Sequence, residues 1–472
     1  RAALDWAGAN DAVHDGSRLA TALWRFWEIR GYLSEGRSRL HRWADAEGLP
    51  APRRAKILNS LGIMAQRQRD YAGARGFYEE ALVVRRSIGD PLGIATALHG
   101  LGSMAMQHGD VETARDQFEE NLALARELGE PRMAAASLMN LGVIAQVDFM
   151  RRGASLAEAG DRAHDYYQRS LEEYRRLGDR HGMALALENL GSLGPWRGEY
   201  EESRAFHEES MAIRRTLGDK LGIAASARFL GRLALRSGEC STARDLHEEY
   251  LSIERELGHK PNEAEALAFL ADVARAEGEN EEAVRLLEES VRIQRSLGDR
   301  RSLIWMLAGL GEAAYRAGDL NRSRAALEES AAVAREHDDG EGLVRAKVRL
   351  AVVARAVGDD RDVAALCADA VAAASLDSYP RTVADLADLA AGVTLRRGDA
   401  VLAAQLLGAA AALRATVDRE PASETDAQDA RDLGATRAAL CDAAFEAACA
   451  HGAELGQPEL MALLARAVTA RP

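Results

Sequence analysis

The chain repeats itself every 40 residues. A Gly-Asp or Gly-Glu pair falls at Gly198-Glu199, Gly238-Glu239, Gly278-Glu279, Gly318-Asp319, Gly358-Asp359 and Gly398-Asp399, without drift. A second series lies between them, at Leu177-Gly178-Asp179, Leu217-Gly218-Asp219, Leu257-Gly258-His259 and Leu297-Gly298-Asp299. A fixed period in this range is produced by stacked supersecondary units, each burying its apolar face only against its neighbours. The 472 residues therefore read as one elongated array, where length alone would give about three globular domains.

The pattern inside one period is helical. With 47% apolar residues and only 10 prolines, and with Ala, Leu, Arg and Glu dominant, helix is the favoured element throughout. A first helix carries Leu-x-x-Leu-Gly-x-x-Ala, as at Leu58, Leu61, Gly62 and Ala65, at Leu98, Leu101, Gly102 and Ala105, at Leu138, Leu141, Gly142 and Ala145, and at Leu307, Leu310, Gly311 and Ala314. Offsets of three and four put these on one stripe, and the small residues let a partner helix come close. A second helix reads Ala-Arg-x-x-x-Glu-Glu-x-Leu, as from Ala74 to Leu82 and from Ala114 to Leu122. Gly supplies the left-handed residue that ends a helix, and the following Asp caps the next. Turns this tight make antiparallel helical hairpins, about nine of them.

Three places depart from the pattern. Between Leu128-Gly129-Glu130 and Leu177-Gly178-Asp179 the spacing is 49, so nine residues are inserted near 147–160, among them Phe149, Met150, Arg151 and Arg152. The next unit holds Gly194-Pro195-Trp196 where Ala and a continuing helix belong, and Pro195 is expected to end or kink that helix. The two together mark either a specialised spot or a drifted loop. The ends also differ. Residues 1–50 form a degenerate first unit rich in Trp24, Phe26, Trp27 and Trp43, the array runs over 51–415, and residues 416–472 form a helical cap after a polar linker, Asp418–Asp426. One cap helix is expected near Ala427–Ala450 and a short one near Pro458–Ala470. The chain opens at Arg1 in mid-pattern, as a piece of a longer protein would.

Composition excludes several chemistries. A net charge of −14 argues against a nucleic-acid binder. The apolar stretch from Val401 to Leu413 is interrupted by Gln405 and Gly408 and reads as a buried helix, not a membrane span. Cys240, Cys367, Cys441 and Cys449 lack CxxC spacing and are expected as reduced thiols of a cytoplasmic protein, with Cys441 and Cys449 packing on one helix face. The 11 histidines show no metal-ligand spacing, and Gly-x-Ser-x-Gly is absent, so no catalytic residue, metal or cofactor is expected. His207-Glu208-Glu209 and His247-Glu248-Glu249 are one repeat position seen twice, and they are read as surface residues. The Glu-Glu pairs, such as Glu79-Glu80 and Glu119-Glu120, form a solvated face with Arg75, Arg115 and Arg324 positioned to pair with the first Glu.

The Leu-Gly pair, the Ala three residues later, the Gly-Asp turn and the small residue opening the second helix resemble the tetratricopeptide repeat, in a 40-residue variant of the usual 34. The resemblance covers about residues 17–415 and implies an all-α, right-handed superhelical solenoid whose first helices line a concave groove. Taking each Leu-Gly as phase marker, the groove residues are Asn59, His99, Asn140, Asn189, Trp196, Arg228, Arg232, Arg236, Arg275, Tyr315 and Arg316. Asn140 and Asn189 match the Asn that peptide-binding members of the family set against a ligand backbone. Arg228, Arg232 and Arg236 are spaced by four and share a helix face, which Arg275 and Arg316 continue. Two readings stay open for them: capture of an anionic partner, or pairing with Glu188, Asp272 and Glu312 inside the groove.

Ala22-Leu23-Trp24-Arg25-Phe26-Trp27 with Gly31 to Arg37, and the tail Ala404 to Ala410 with Phe445 to Ala448, resemble segments of actinobacterial STAND-type (signal-transduction ATPase) regulators. That resemblance implies a non-enzymatic sensor region holding a protein or peptide, with any ATPase or DNA-binding module outside this chain, since Gly-x-x-x-x-Gly-Lys-[Ser/Thr] does not occur in it. The alternatives are a stand-alone scaffold or signalling-peptide receptor, and an accessory region that holds an enzyme.

Overall fold

The computed structural model describes residues 1–10, 12–152, 156–374, 380–417 and 427–469, and every regular element among them is an α-helix. Contacts divide the chain into two units, Arg1–Asp219 and Lys220–Pro472. The first holds α1 (Ala2–Ala9), α2 (Val13–Ile29), α3 (Leu33–Ala44), α4 (Ala51–Arg67), α5 (Tyr71–Ser87), α6 (Pro91–His108), α7 (Val111–Glu127), α8 (Pro131–Arg152), α9 (Leu156–Leu177), α10 (Arg180–Arg197) and α11 (Tyr200–Leu217). The second holds α12 (Lys220–Arg236), α13 (Cys240–Leu257), α14 (Lys260–Ala276), α15 (Asn280–Leu297), α16 (Arg300–Arg316), α17 (Leu320–Glu336), α18 (Gly340–Ala356), α19 (Asp360–Ala373), α20 (Pro380–Arg396), α21 (Ala400–Val417), α22 (Ala427–Ala439), α23 (Asp442–Ala453) and α24 (Gln457–Thr469). Each even-numbered helix from α2 to α20 packs on its successor. Among the described residues that makes ten hairpins, one more than the turn marks imply.

A ring pressed onto bare backbone spaces the two helices of a pair. A Cβ added at Gly62 would lie 2.7 Å from the Tyr78 ring, and one at Gly102 would lie 2.8 Å from Phe118. Tyr167 stands at 2.4 Å from the same point on Gly142, His207 at 2.6 Å on Gly191, and His247 at 2.5 Å on Gly231. No side chain fits beneath these rings, which is why the first helix needs glycine there. Ala271 and Ala351 replace the glycine where the smaller Leu287 and Cys367 replace the ring, and each pair shares a core.

His207 and His247 are thus core residues, not surface ones, and both are 0% exposed. Their repeat position is the ring position, and the two glutamates after each carry the solvated side. Neither ring nitrogen of His247 has a hydrogen-bond partner among the described residues. Its ring stacks on Phe269 with centroids 5.0 Å apart. Burial, aided by the charge of Arg232, pulls its pKa down to about 4.

The turns work as expected where the residue is Asp. Asp70, Asp90, Asp110, Asp179, Asp299, Asp319, Asp339 and Asp359 each accept a backbone N–H of the following helix. Glu199, Glu239 and Glu279 make no such bond. The extra methylene moves the carboxylate past the first turn, and Glu199 and Glu279 pair with Arg197 and Arg244 instead. The left-handed residue before the cap is kept even without glycine, at Arg69 (φ 62°) and Asp338 (φ 55°). On the second helices Arg75 reaches Glu79 at 2.7 Å and Arg324 reaches Glu328 at 3.9 Å, whereas Arg115 turns to Asp148. The second Glu of the pair bridges hairpins, as in Arg86–Glu120 (2.8 Å), Arg175–Glu209 (2.9 Å) and Arg295–Glu329 (2.6 Å). Exposed pairs of this kind contribute at most about 1 kcal/mol each.

The irregular places resolve differently from expectation. The insertion lengthens both helices of one hairpin: α8 and α9 have 22 residues each, against 17 in α4, α5 and α7. Residues 153–155, and the side chains of Phe149, Met150, Arg151 and Arg152, lie outside the described residues. Pro195 does not end its helix, because α10 runs on to Arg197. The proline removes the N–H that would bond the Gly191 carbonyl, and Ser203 Oγ donates to that oxygen at 2.5 Å. Ser323 does the same to Gly311 at 2.7 Å, so the substitute is a standing feature of the hairpin.

At the C-terminus the linker 418–426 lies outside the described residues, and the expected single helix near 427–450 is two, α22 and α23, broken at extended Cys441. All four cysteines are free; Cys367 is buried, and of the expected pair Cys441 is exposed while Cys449 donates its thiol to the Ala404 carbonyl at 3.3 Å. A Cβ at Gly408 would lie 2.1 Å from the Cys449 carbonyl oxygen, and one at Gly452 would lie 1.9 Å from that of Gln405. Backbone therefore meets backbone where α23 crosses α21. Leu460, Leu464, Ala467 and Val468 of α24 join the core of α18 to α21.

Two outcomes follow. Gly452→Val forces the α21–α23 crossing apart and is expected to cost about 3 kcal/mol in urea unfolding, while Gly434→Ala, in open space on α22, is expected to gain up to about 1 kcal/mol. His247 is neutral in both states above its ordinary pKa of 6.5; between 6.5 and about 4 only the unfolded chain takes up the proton. Stability should fall through that window by up to about 1.4 kcal/mol per pH unit from this group. His247→Phe, which copies Phe118, should remove that slope, read as urea midpoints at pH 7, 5.5 and 4.5.

Candidate polar face of the first helices

The even-numbered helices touch one another along the second unit: α12 meets α14, α14 meets α16, α16 meets α18 and α18 meets α20. Side chains four residues apart on each helix, and one repeat apart between helices, are therefore brought onto one continuous face. Every one of those steps is crossed by a guanidinium–carboxylate contact. Arg228 lies 3.3 Å from Glu265, Arg275 lies 2.9 Å from Glu312, and Arg349 lies 3.6 Å from Glu312 and 3.8 Å from Asp385.

The expected groove residues fall as follows. In the first unit Asn59 is half-buried on α4. His99 on α6 stands edge-on to Phe118, 5.6 Å between centroids, and burial lowers its pKa. Asn140 and Asn189 each donate their amide to the carbonyl four residues back, Ala136 and Leu185, at 2.9 Å. Asn189 also lies 3.3 Å from the Met139 sulfur, which ties α8 to α10. Trp196 sits in the last turn of α10, and its side chain lies outside the described residues. Glu188 pairs with Arg214 at 2.5 Å.

In the second unit Arg228 lies over Phe229 and shares Glu265 with the Tyr250 hydroxyl, which donates to that carboxylate at 2.8 Å. Arg232 is exposed, 5.9 Å above the Phe269 ring, and forms no ion pair among the described residues. Arg236 is half-buried in the last turn of α12. Arg275 is held by Asp272 at 2.6 Å as well as by Glu312, and Arg316 reaches Glu312 at 3.2 Å. Tyr315 packs against the core of α18 to α21. The five arginines are therefore not a bare cationic cluster, because Glu265, Asp272 and Glu312 pair with three of the five, Arg228, Arg275 and Arg316.

Glu312 is the centre of this face. Burial alone would raise its pKa, but Arg349, Arg275, Arg316 and Arg345 outweigh it and hold the carboxylate below its usual range. Arg345 stands 3.9 Å over the Trp305 ring. Sequence reasoning missed Glu265, Trp305, Arg345 and Arg349. Arg349 occupies the same repeat position as Asn189, but its unit carries Leu350-Ala351 in place of the Leu-Gly marker, so the phase was lost there. A separate open cleft of about 520 Å³ lies on α3 and α4, lined by Ser34, Arg37, Ser38, His41, Arg42 and Gln68, with Arg37 bound to Asp70 at 2.5 Å. Among the described residues no group of three or more His, Cys, Asp or Glu side chains could hold a metal ion, and no helix is long and apolar enough to cross a membrane.

Stacked helix hairpins with glycine-seated rings and a polar face on one row define a helical-repeat solenoid. The tetratricopeptide repeat family profile matches residues 53–127, 196–256 and 262–336, and those stretches are tetratricopeptide repeats. The fold is similar to that of a signal-transduction ATPase with numerous domains (STAND) protein with a tetratricopeptide repeat sensor from Pyrococcus horikoshii. The TM-score is 0.55 at 14% identity, covering 71% of this chain and 52% of that one. It is also similar to the apo form of the quorum sensor NprR from B. thuringiensis, with a TM-score of 0.54 at 14% identity, covering 76% of this chain and 99% of that one. No curated protein matches the sequence.

Proposed function

We propose that this chain is the protein- or peptide-binding sensor region of a bacterial, cytoplasmic STAND-type signal-transduction or transcriptional regulator, and that it carries no catalysis of its own. The observation that carries the reading is Arg232. It is an exposed guanidinium without an ion pair among the described residues, set over an aromatic ring in a row where Arg228, Arg275 and Arg316 pair with carboxylates. A guanidinium so placed favours a carboxylate-bearing partner. The likeness to a STAND protein with a repeat sensor supports the regulator assignment. In this reading residues 1–50 and 416–472 close the two ends of the array, and a partner that prefers one arrangement of the row shifts the population of an attached module. A stand-alone signalling-peptide receptor or scaffold is the second reading, favoured by the match over 99% of the quorum sensor chain.

The test is a partner recovered by affinity capture, purified, and titrated against the full chain. Arg232→Glu is expected to weaken it at least tenfold, about 1.4 kcal/mol, while Arg285→Glu on second helix α15 leaves it unchanged. Equal affinities for wild type and Arg232→Glu would contradict the reading.

A further inference from the structure

Arg349 on α18 has an unusual place in the charged row. It lies within ion-pair range of Glu312 and Asp385, at 3.6 and 3.8 Å, yet it donates no hydrogen bond to either or to any other described residue. A guanidinium carries five donors in a planar fork that suits a carboxylate held at about 2.8 Å. Both neighbouring carboxylates are engaged more closely elsewhere. Glu312 meets Arg275 at 2.9 Å and Arg316 at 3.2 Å, and Asp385 meets Arg414 at 3.3 Å. Three arginines, from α14, α16 and α18, thus converge on the one carboxylate of Glu312. Arg316 and Arg349 keep 40% and 35% of their side-chain surface open, so an outside group can reach both. This concentration of cations sits in a chain whose net charge is −14, and half-buried Trp305 lies under Arg345, about two turns before Glu312 on α16.

We propose that the step between α16 and α18 is a seat for a carboxylate side chain of an acidic peptide segment, gripped by Arg349 and Arg316, with Glu312 as the internal carboxylate that the ligand displaces. The inference rests on the reading that a peptide or protein docks on this row, and it adds the position and the competing group. Glu312 is itself the template for the ligand chemistry. A second carboxylate brought to Arg349 relieves its missing hydrogen bonds, and Glu312 leaves with Arg275, which Asp272 also holds. The sign of the Glu312 effect follows: neutralising a competitor strengthens binding, whereas neutralising a member of the gripping set weakens it.

The experiment titrates labelled hexaglutamate, with hexaglutamine as the control, into the full chain at 0.15 M salt by fluorescence anisotropy. Wild type is expected to prefer hexaglutamate. Glu312→Gln is expected to tighten hexaglutamate by about threefold to tenfold, and Arg349→Gln to loosen it about tenfold. Arg349→Lys, which keeps the charge but not the fork, should also loosen it. Folded Glu312→Gln protein that binds hexaglutamate equally or more weakly would overturn the proposal, and so would unchanged binding by Arg349→Gln. If Glu312→Gln does not fold, the two Arg349 variants decide. Hexaglutamate binding that no variant alters overturns this seat but leaves an acidic partner on the row. Failure of wild type to bind hexaglutamate also overturns the seat, and the Arg232→Glu titration of the captured partner then decides the broader reading.

Discussion

A side chain seated on glycine backbone sets the distance between the two helices of a hairpin, and the rest of the structure depends on that distance. Tyr78, Phe118, Tyr167, His207 and His247 all occupy this place, each against a glycine of the preceding helix. Close-packed interiors tolerate little change in such a contact, so similar contacts give similar pairs. Similar pairs stack in register, and register brings Arg228 to Glu265 and Arg275 to Glu312 across successive first helices. The seat tolerates variety, as Gly311 with Leu327, Ala271 with Leu287 and Ala351 with Cys367 show. The His247 ring fills the place but leaves its two nitrogens without hydrogen-bond partners among the described residues, and this costs stability as the pH falls.

The charged row in the second unit is built on compromise. A stack of like charges on adjacent helices would repel, and carboxylates from neighbouring repeats offset most of the arginines. Half-buried pairs of this kind add modest net stability, but they hold polar groups in fixed positions on rigid helices. Such a face suits recognition: exchangeable ion pairs let an outside charge replace an inside one without rebuilding the core. The first unit differs in chemistry. There Asn59, His99, Asn140 and Asn189 present amides and an imidazole, and two of the amides are turned onto their own helices.

The repeat was plainly legible in the sequence, because glycine, aspartate and the leucine stripe each answer a local backbone demand. The αL turns persist even at Arg69 and Asp338, where glycine is missing, so the demand belongs to the hairpin and not to the residue. Burial of His207 and His247 was hidden because a His-Glu-Glu run reads as polar, although the ring position was visible one repeat earlier as Tyr or Phe. The ion pairs were harder to foresee. Which carboxylate an arginine takes depends on side-chain reach across helices, and Glu265 and Arg349 enter the row only through that reach. That α10 runs on past Pro195 was hidden for a similar reason, since the hydroxyl that reaches the Gly191 carbonyl comes from Ser203 on the next helix. The break between α22 and α23 left no mark such as proline or glycine at Leu440-Cys441.

In the proposed function the row of first helices, and not the row of second helices, receives the partner. Hydroxyl-radical footprinting of the full chain with and without its purified partner measures this directly, because it reads side chains and not helix amides that are already bonded. Protection concentrated at Phe269, Trp305 and Met306 is the predicted result. Protection confined to the second helices α13, α15 and α17, with those three side chains unchanged, would contradict the account.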